Sequence, residues 1–162
     1  MTLLKSIPKG GCLMIVMNTD FLYNFISRHK LAVIASLSQD HFPQSALVGF
    51  AVASDLRIIF DTVTDSRKYH NLQANPKASL VIGWKDEATV QLEGEAYIPV
   101  DDELEELKSV YYQAYPDGWQ RAATWPNLTY FCIRPKWIRY SDFNTDPPRI
   151  IEGDYELFLT KN

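Results

Sequence analysis

The stretch Leu56-Arg57-Ile58-Ile59-Phe60-Asp61-Thr62-Val63-Thr64-Asp65-Ser66-Arg67-Lys68 decides how this chain is read. It begins as a β-branched apolar run, a strand over Leu56–Phe60, and passes within a few residues into a helix opened by Asp65 or Ser66. Asn75-Pro76 stops that helix, because proline cannot continue it and disfavours helical backbone in the residue before. Arg67 and Lys68 therefore fall in a first helical turn, where free N–H groups and the helix dipole already make the surroundings positive. Two readings fit that placement. A phosphate would satisfy the Ser66 hydroxyl, both cations and the free amides together, with Thr62 offering a second hydroxyl. Alternatively, both cations are solvated and Asp65 compensates them.

Working outward, Leu31–Leu37 reads as a buried strand, Gln39–Pro43 as a turn and Gln44–Ala53 as the next strand. The tight Ser54-Asp55 connection makes these and Leu56–Phe60 an antiparallel meander. Ahead of them, Thr19 or Asp20 caps a helix running to about Lys30, with Phe21, Leu22, Phe25 and Ile26 on one face. Beyond the motif, strands are expected at Ala78–Trp84 and Ala88–Ile98, then a helix with Asp101-Asp102-Glu103 in its first turn. A Trp-rich irregular stretch, Asp117–Asn127, leads to strands at Leu128–Ile133 and Trp137–Tyr140, and Tyr155–Leu159 is a last strand. These six or seven mostly antiparallel strands with two or three helices describe a mainly β fold, a β-barrel with peripheral helices. One domain spans 18–143, after an N-terminal extension 1–17 and before a C-terminal tail 144–162. The extension is either unstructured or precedes a true start at Met17.

The bulk properties narrow the function. With 46% apolar and 22% charged residues the chain is globular, and a net charge of −4 speaks against nucleic acid as a partner. Cys12 and Cys132 fit no metal or redox spacing, which points to a reducing cytoplasm. No apolar run reaches the roughly 20 residues a membrane span needs, and Cys12–Met17 is too short for a signal peptide. His29, His41 and His70 have no metal-ligand spacing, so no metal site is expected. His29 at a helix end is explained by the dipole, and His70 by a surface or packing role. No Gly-x-Ser-x-Gly element supports hydrolase chemistry, and Gly10-Gly11 forms no phosphate loop. Trp119, Trp125 and Trp137 could wall a pocket, though large aromatics more often close a core.

The pattern Thr62-x-x-x-Ser66-Arg67-Lys68-x-x-x-Leu72-x-x-Asn75-Pro76, followed by a strand through Trp84 and by Val90-x-Leu92-Glu93-Gly94, resembles the FMN-binding split β-barrel family. That family includes pyridoxamine 5′-phosphate oxidase and the general stress proteins, and the likeness covers about Phe21–Asp142. It implies FMN as cofactor, its phosphate held by Thr62, Ser66, Arg67 and Lys68, and its ring set against Leu47 and Val48, with Thr89 in the place of a flavin-contacting Gln. It also implies a homodimer with flavin at the interface, a small-molecule substrate and a reduced nicotinamide as donor. Three departures argue against pyridoxamine phosphate oxidation itself. The cations of the family's Arg-x-Val-Leu-Leu-Lys strand are Ala46 and Ala51 here, Thr89 is shorter than Gln, and no Arg-x-His follows Trp137-Ile138-Arg139-Tyr140. The residues identify no catalytic acid or base. Two other readings stay open: a flavin- or haem-binding module without turnover, and a deazaflavin-dependent reductase, against which the modest basicity argues.

Overall fold

The computed structural model describes residues 17–159. The expected extension therefore lies outside the described residues except for Met17, which is buried in the core; Cys12 and Gly10-Gly11 lie outside with it.

The first helix, α1, spans Thr19–Ile26 and is capped by Asn18, whose side chain accepts from the Phe21 N–H at 3.0 Å. Asn18 takes the cap expected of Thr19 or Asp20 because its extended backbone aims the amide oxygen at the helix start. The helix is shorter than its apolar spacing suggested, and Arg28–Lys30 turn the chain into β1 (Leu31–Leu37). Strand β2 covers Pro43–Val52 and β3 covers Ile58–Val63. β3 starts two residues later than expected because Leu56 sits at φ 66° in the turn, with its side chain fully buried. Helix α2 (Arg67–Ala74) follows, then β4 (Lys77–Ile82) and β5 (Ala88–Tyr97).

Helix α3 (Asp101–Ala114) is followed by a second short helix, α4 (Gly118–Thr124), where the Trp-rich stretch had shown no periodic pattern. The two strands expected on either side of Pro135 form one, β6 (Leu128–Asp142). Pro135 is accommodated because it lies opposite Gly94, where the β5–β6 register shifts, and an irregularity of this kind frees a strand proline from its ladder bond. The tail contributes β7 (Arg149–Asp154), and the residues expected as a last strand instead form a 3₁₀ turn, Tyr155–Phe158. That turn carries Phe158 into the core, and Thr19 Oγ1 donates to the Phe158 carbonyl at 2.7 Å.

The sheet order is β3-β2-β1-β4-β5-β6-β7, and β3 also pairs with β6, closing six antiparallel strands into a barrel. β6 is long because one of its edges serves two partners: Leu128–Ile133 against β3 and Trp137–Asp142 against β7. Alternation along each strand sends Ala32, Ile34, Phe50, Phe60, Leu80, Leu92, Phe131 and Ile138 inward. A second, smaller core lies outside the barrel, where Leu107 and Tyr111 of α3 cover Ala51, Ile59 and Cys132. Among the described residues no helix is long and apolar enough to cross a membrane.

Candidate functional site

Ser66 is the N-cap of α2: its backbone is extended and its hydroxyl accepts from the Tyr69 N–H at 3.3 Å. The same oxygen lies 2.9 Å from the buried hydroxyl of Thr62, the penultimate residue of β3. Two hydroxyls joined by one bond leave one O–H proton unused, whichever of them donates. The pair is thus a donor in search of an acceptor, set at the end of a helix whose first N–H groups point the same way.

Arg67 is exposed and Lys68 half-buried beside that pair, and the first turn of α2 contains no acid. Among the described residues neither cation forms an ion pair, so compensation by Asp65 is not what the structure shows. Asp61, the other nearby acid, is engaged by Arg121 of α4 at 3.3 Å. Arg121 also meets Asp117 at 2.5 Å and donates to the Tyr111 hydroxyl at 3.4 Å. Burial and the Asp61 charge push the Tyr111 hydroxyl well above its usual range, which keeps it neutral. Sequence reasoning missed this cluster because α4 itself was invisible in the pattern.

Leu47 and Val48 lie on β2 where it parts from β3. The β2–β3 ladder runs from Val52↔Ile58 to Phe50↔Phe60 and then stops, although β3 continues to pair with β6 through Val63↔Leu128. Continuing the same register would set Val48 level with Thr62 and Leu47 level with Val63. The Thr62–Lys68 turn and the Leu47–Val48 segment therefore flank one opening in the barrel wall. The two residues face oppositely: Leu47 is exposed on the outer surface, whereas the Val48 side chain is buried in the core and leaves only its backbone for a ligand.

Thr89 stands apart. It is half-buried near the start of β5, paired with Ser141, and strands β1 and β4 separate β5 from β2. Three strand spacings of about 4.8 Å put it roughly 14 Å from Leu47 around the sheet. One chain does not bring Thr89 to the opening at Thr62 and Ser66.

Helix α2 is held across the barrel end by Asn71, a residue no motif had singled out. Its buried amide donates to Ser36 Oγ of β1 and Gln44 Oε1 of β2, both at 3.0 Å. An Asn on the apolar face of a short helix, one residue before Leu72, was the available signal. The remaining candidates carry less. His70 is exposed against Tyr69, His41 is exposed in a turn at φ 59°, and Trp119 and Trp125 are exposed. Cys132 is fully buried, and burial pushes its thiol up to about 11. Among the described residues no group of three or more His, Cys, Asp or Glu is placed to hold a metal ion.

The family model for pyridoxamine 5′-phosphate oxidase matches residues 19–142, which is most of the chain and includes every element from α1 to β6. The chain belongs to that family. No curated protein sequence matches it. Among solved structures, General Stress Protein 26 of Bacillus anthracis is 24% identical, with a TM-score of 0.63 over 83% of this chain and 98% of that one. A pyridoxamine 5′-phosphate oxidase-related, FMN-binding protein of Nostoc punctiforme is 13% identical, with a TM-score of 0.59 over 77% and 87%. A heme-binding protein of Mycobacterium smegmatis is 17% identical with a TM-score of 0.71; 84% of this chain is covered, but it spans only 57% of that protein's length. These likenesses place this pyridoxamine 5′-phosphate oxidase family member on the split-barrel fold shared by flavin- and haem-binding proteins.

Proposed function

We propose that this family member binds FMN and works as a flavin-dependent oxidoreductase on a small substrate. The observation that carries the proposal is the α2 start, where two cations without ion pairs among the described residues, an unused hydroxyl proton and free helix N–H groups converge beside Thr62 and Ser66. Arg67 and Lys68 would neutralise the phosphate, Ser66 or Thr62 would donate to it, and Leu47 with the Val48 backbone would bear on the ring. When bound, the flavin supplies hydride acceptance and donation, with a reduced nicotinamide as the natural donor.

The surroundings also argue for what the substrate is not. Ala51, where the oxidase carries a cation, is buried beneath Leu107 and Tyr111 of α3. Ala46 is half-buried against the barrel core. Neither position offers a charge to a pyridoxamine phosphate, and the C-terminal Arg-x-His grip is missing from the sequence.

Two features support a homodimer. Leu31, Leu47 and Val81 expose apolar surface on the adjoining strands β1, β2 and β4, and Trp84 exposes more just beyond β4, which a second copy would cover. The distance of Thr89 from the phosphate motif suits a flavin shared between subunits, with Thr89 serving the partner's ring. The direct test is an absorption spectrum of purified protein, before and after adding FMN and desalting, for wild type and Arg67→Ala. Flavin bands retained by wild type and lost by the variant are expected. Equal retention by both would make the phosphate assignment wrong, and a haem band would favour the chemistry named for the mycobacterial protein.

A further inference from the structure

The β5–β6 ladder ends early. Its last pair is Tyr97↔Cys132, whereas the remainder of β6, back to Leu128, pairs with β3 alone. Hydrogen bonds in an antiparallel pair alternate along the strand, so successive residues turn their N–H and C=O to opposite neighbours. The Thr64 N–H donates to the Asn127 carbonyl at 2.9 Å, which fixes the phase. Asn127, Thr129 and Phe131 face β3, and Leu128, Tyr130 and Cys132 face the β5 side. Cys132 meets Tyr97 there, and the Leu128 N–H donates to the Trp125 carbonyl at 3.2 Å. Tyr130 is left over. In continued register it stands opposite Pro99, which has no N–H to offer. Among the described residues neither the main-chain N–H nor the C=O of Tyr130 has a hydrogen-bond partner. Yet Tyr130 is only 7% exposed, and main-chain groups so covered are nearly always paired.

That edge opens onto a hollow. Where the chain leaves β5 for α3, a wedge of about 250 Å³ is lined by Ile98, Leu104, Lys108, Ala122, Leu128 and Tyr130. Thr129 lines it too, although alternation turns its side chain to the other face of β6, so main chain forms this part of the floor. Ile98, Leu104 and Leu128 supply apolar walls. The Lys108 ammonium is held by Glu105 at 2.9 Å. The Tyr130 hydroxyl lies 3.1 Å from that of Tyr112, and burial pushes it above its usual range, so it is neutral. The lining thus carries no unpaired charge, and the acids in the first turn of α3 disfavour an anion. None of the walls belongs to β1, β2 or β4, the strands of the face a second copy would cover.

We propose that this hollow binds a small uncharged primary carboxamide or lactam, paired with the main chain of Tyr130. The ligand C=O accepts from the Tyr130 N–H, the ligand N–H donates to the Tyr130 C=O, and an apolar ring rests on Ile98, Leu104 and Leu128. A primary amide or lactam presents C=O and N–H on one edge, the complement of a single strand residue's N–H and C=O. The edge has room for one such pair and not for an added strand, because Tyr97 and the Trp125 carbonyl occupy the positions on either side. The volume lies below the range of about 300–1,000 Å³ that encloses larger ligands, and suits a single ring. Strands β3 and β6 lie between this site and the opening at Leu47, so it does not depend on what Ser66-Arg67-Lys68 holds.

Titration of the isotope-labelled full chain with benzamide, followed in its amide NMR spectrum, tests the assignment. The Tyr130 amide resonance should shift downfield and saturate at millimolar benzamide. N,N-Dimethylbenzamide has no N–H to donate, and benzoate has none and is charged, so each should bind at least tenfold more weakly. Ala122→Phe, at an exposed position in the wall, should fill the hollow and weaken benzamide at least tenfold, and an unchanged melting temperature will verify that the variant is folded. Added FMN should leave the benzamide affinity unchanged, which separates this site from the flavin motif. No saturable shift at Tyr130 at millimolar benzamide would overturn the proposal. So would equal affinity for N,N-dimethylbenzamide, unweakened binding by folded Ala122→Phe, or displacement of benzamide by FMN.

Discussion

Ser66 is asked to do two things at once, and replacing it by alanine separates them. The first is the N-cap: losing the acceptor for the Tyr69 N–H costs about 1 kcal/mol. The second is the bond to Thr62, a residue only 6% exposed, whose hydroxyl has no partner but Ser66 among the described residues. Stranding that hydroxyl adds about 1–2 kcal/mol. Ser66→Ala should therefore cost about 2–3 kcal/mol in cofactor-free protein and lower Tm by about 5–10 °C. In a Thr62→Val background the stranded group no longer exists, and the same substitution should cost only the cap, about 1 kcal/mol. The difference, a coupling of about 1–2 kcal/mol, is read from urea unfolding of the four proteins. If Ser66→Ala costs the same in both backgrounds to within about 0.5 kcal/mol, the Thr62–Ser66 bond contributes nothing and the pre-formed donor pair is refuted. Arg67→Ala provides the contrast. Arg67 is exposed, without an ion pair among the described residues, and faces an unfavourable dipole, so its removal should leave the cofactor-free protein unchanged or stabilise it by about 0.5 kcal/mol. A residue that costs stability when the site is empty and is needed only when flavin is present is what a binding role predicts.

Three further outcomes follow from packing. Gly94→Ala should destabilise by about 3 kcal/mol or abolish soluble expression, because its Cβ would collide with the Arg134 carbonyl oxygen, a backbone atom that cannot turn aside; a Tm within about 2 °C of wild type, measured by scanning calorimetry, would contradict the observed register shift. Asn71→Ala strands Ser36 and leaves α2 tied by fewer bonds, so a loss of about 2 kcal/mol in urea unfolding is expected, with hydrogen exchange accelerating first in α2. Cys132 has its thiol raised to about 11, so below pH 9 it should react with a disulfide reagent only at the rate of unfolding. The unfolded chain loses that proton first, so stability should fall as pH rises from about 9 to 11, and Cys132→Ala should flatten that limb of a pH–Tm curve.

By itself, the sequence determined the features whose cause lies within a few residues. A β-branched apolar run placed β1, alternation helped place β5, the Asn75-Pro76 stop ended α2, and the Ser66 hydroxyl with Arg67 and Lys68 behind it marked a candidate anion site, because capping and dipole act inside one turn. The structure added what depends on partners far along the chain. The β3 boundary moved because Leu56 is drawn into the core through a left-handed turn, a cost only burial repays. Pro135 passes through β6 because Gly94, far away in sequence, supplies the irregularity opposite it. Closure by β3–β6 and the separate place of Thr89 follow from strand order, which no local pattern encodes.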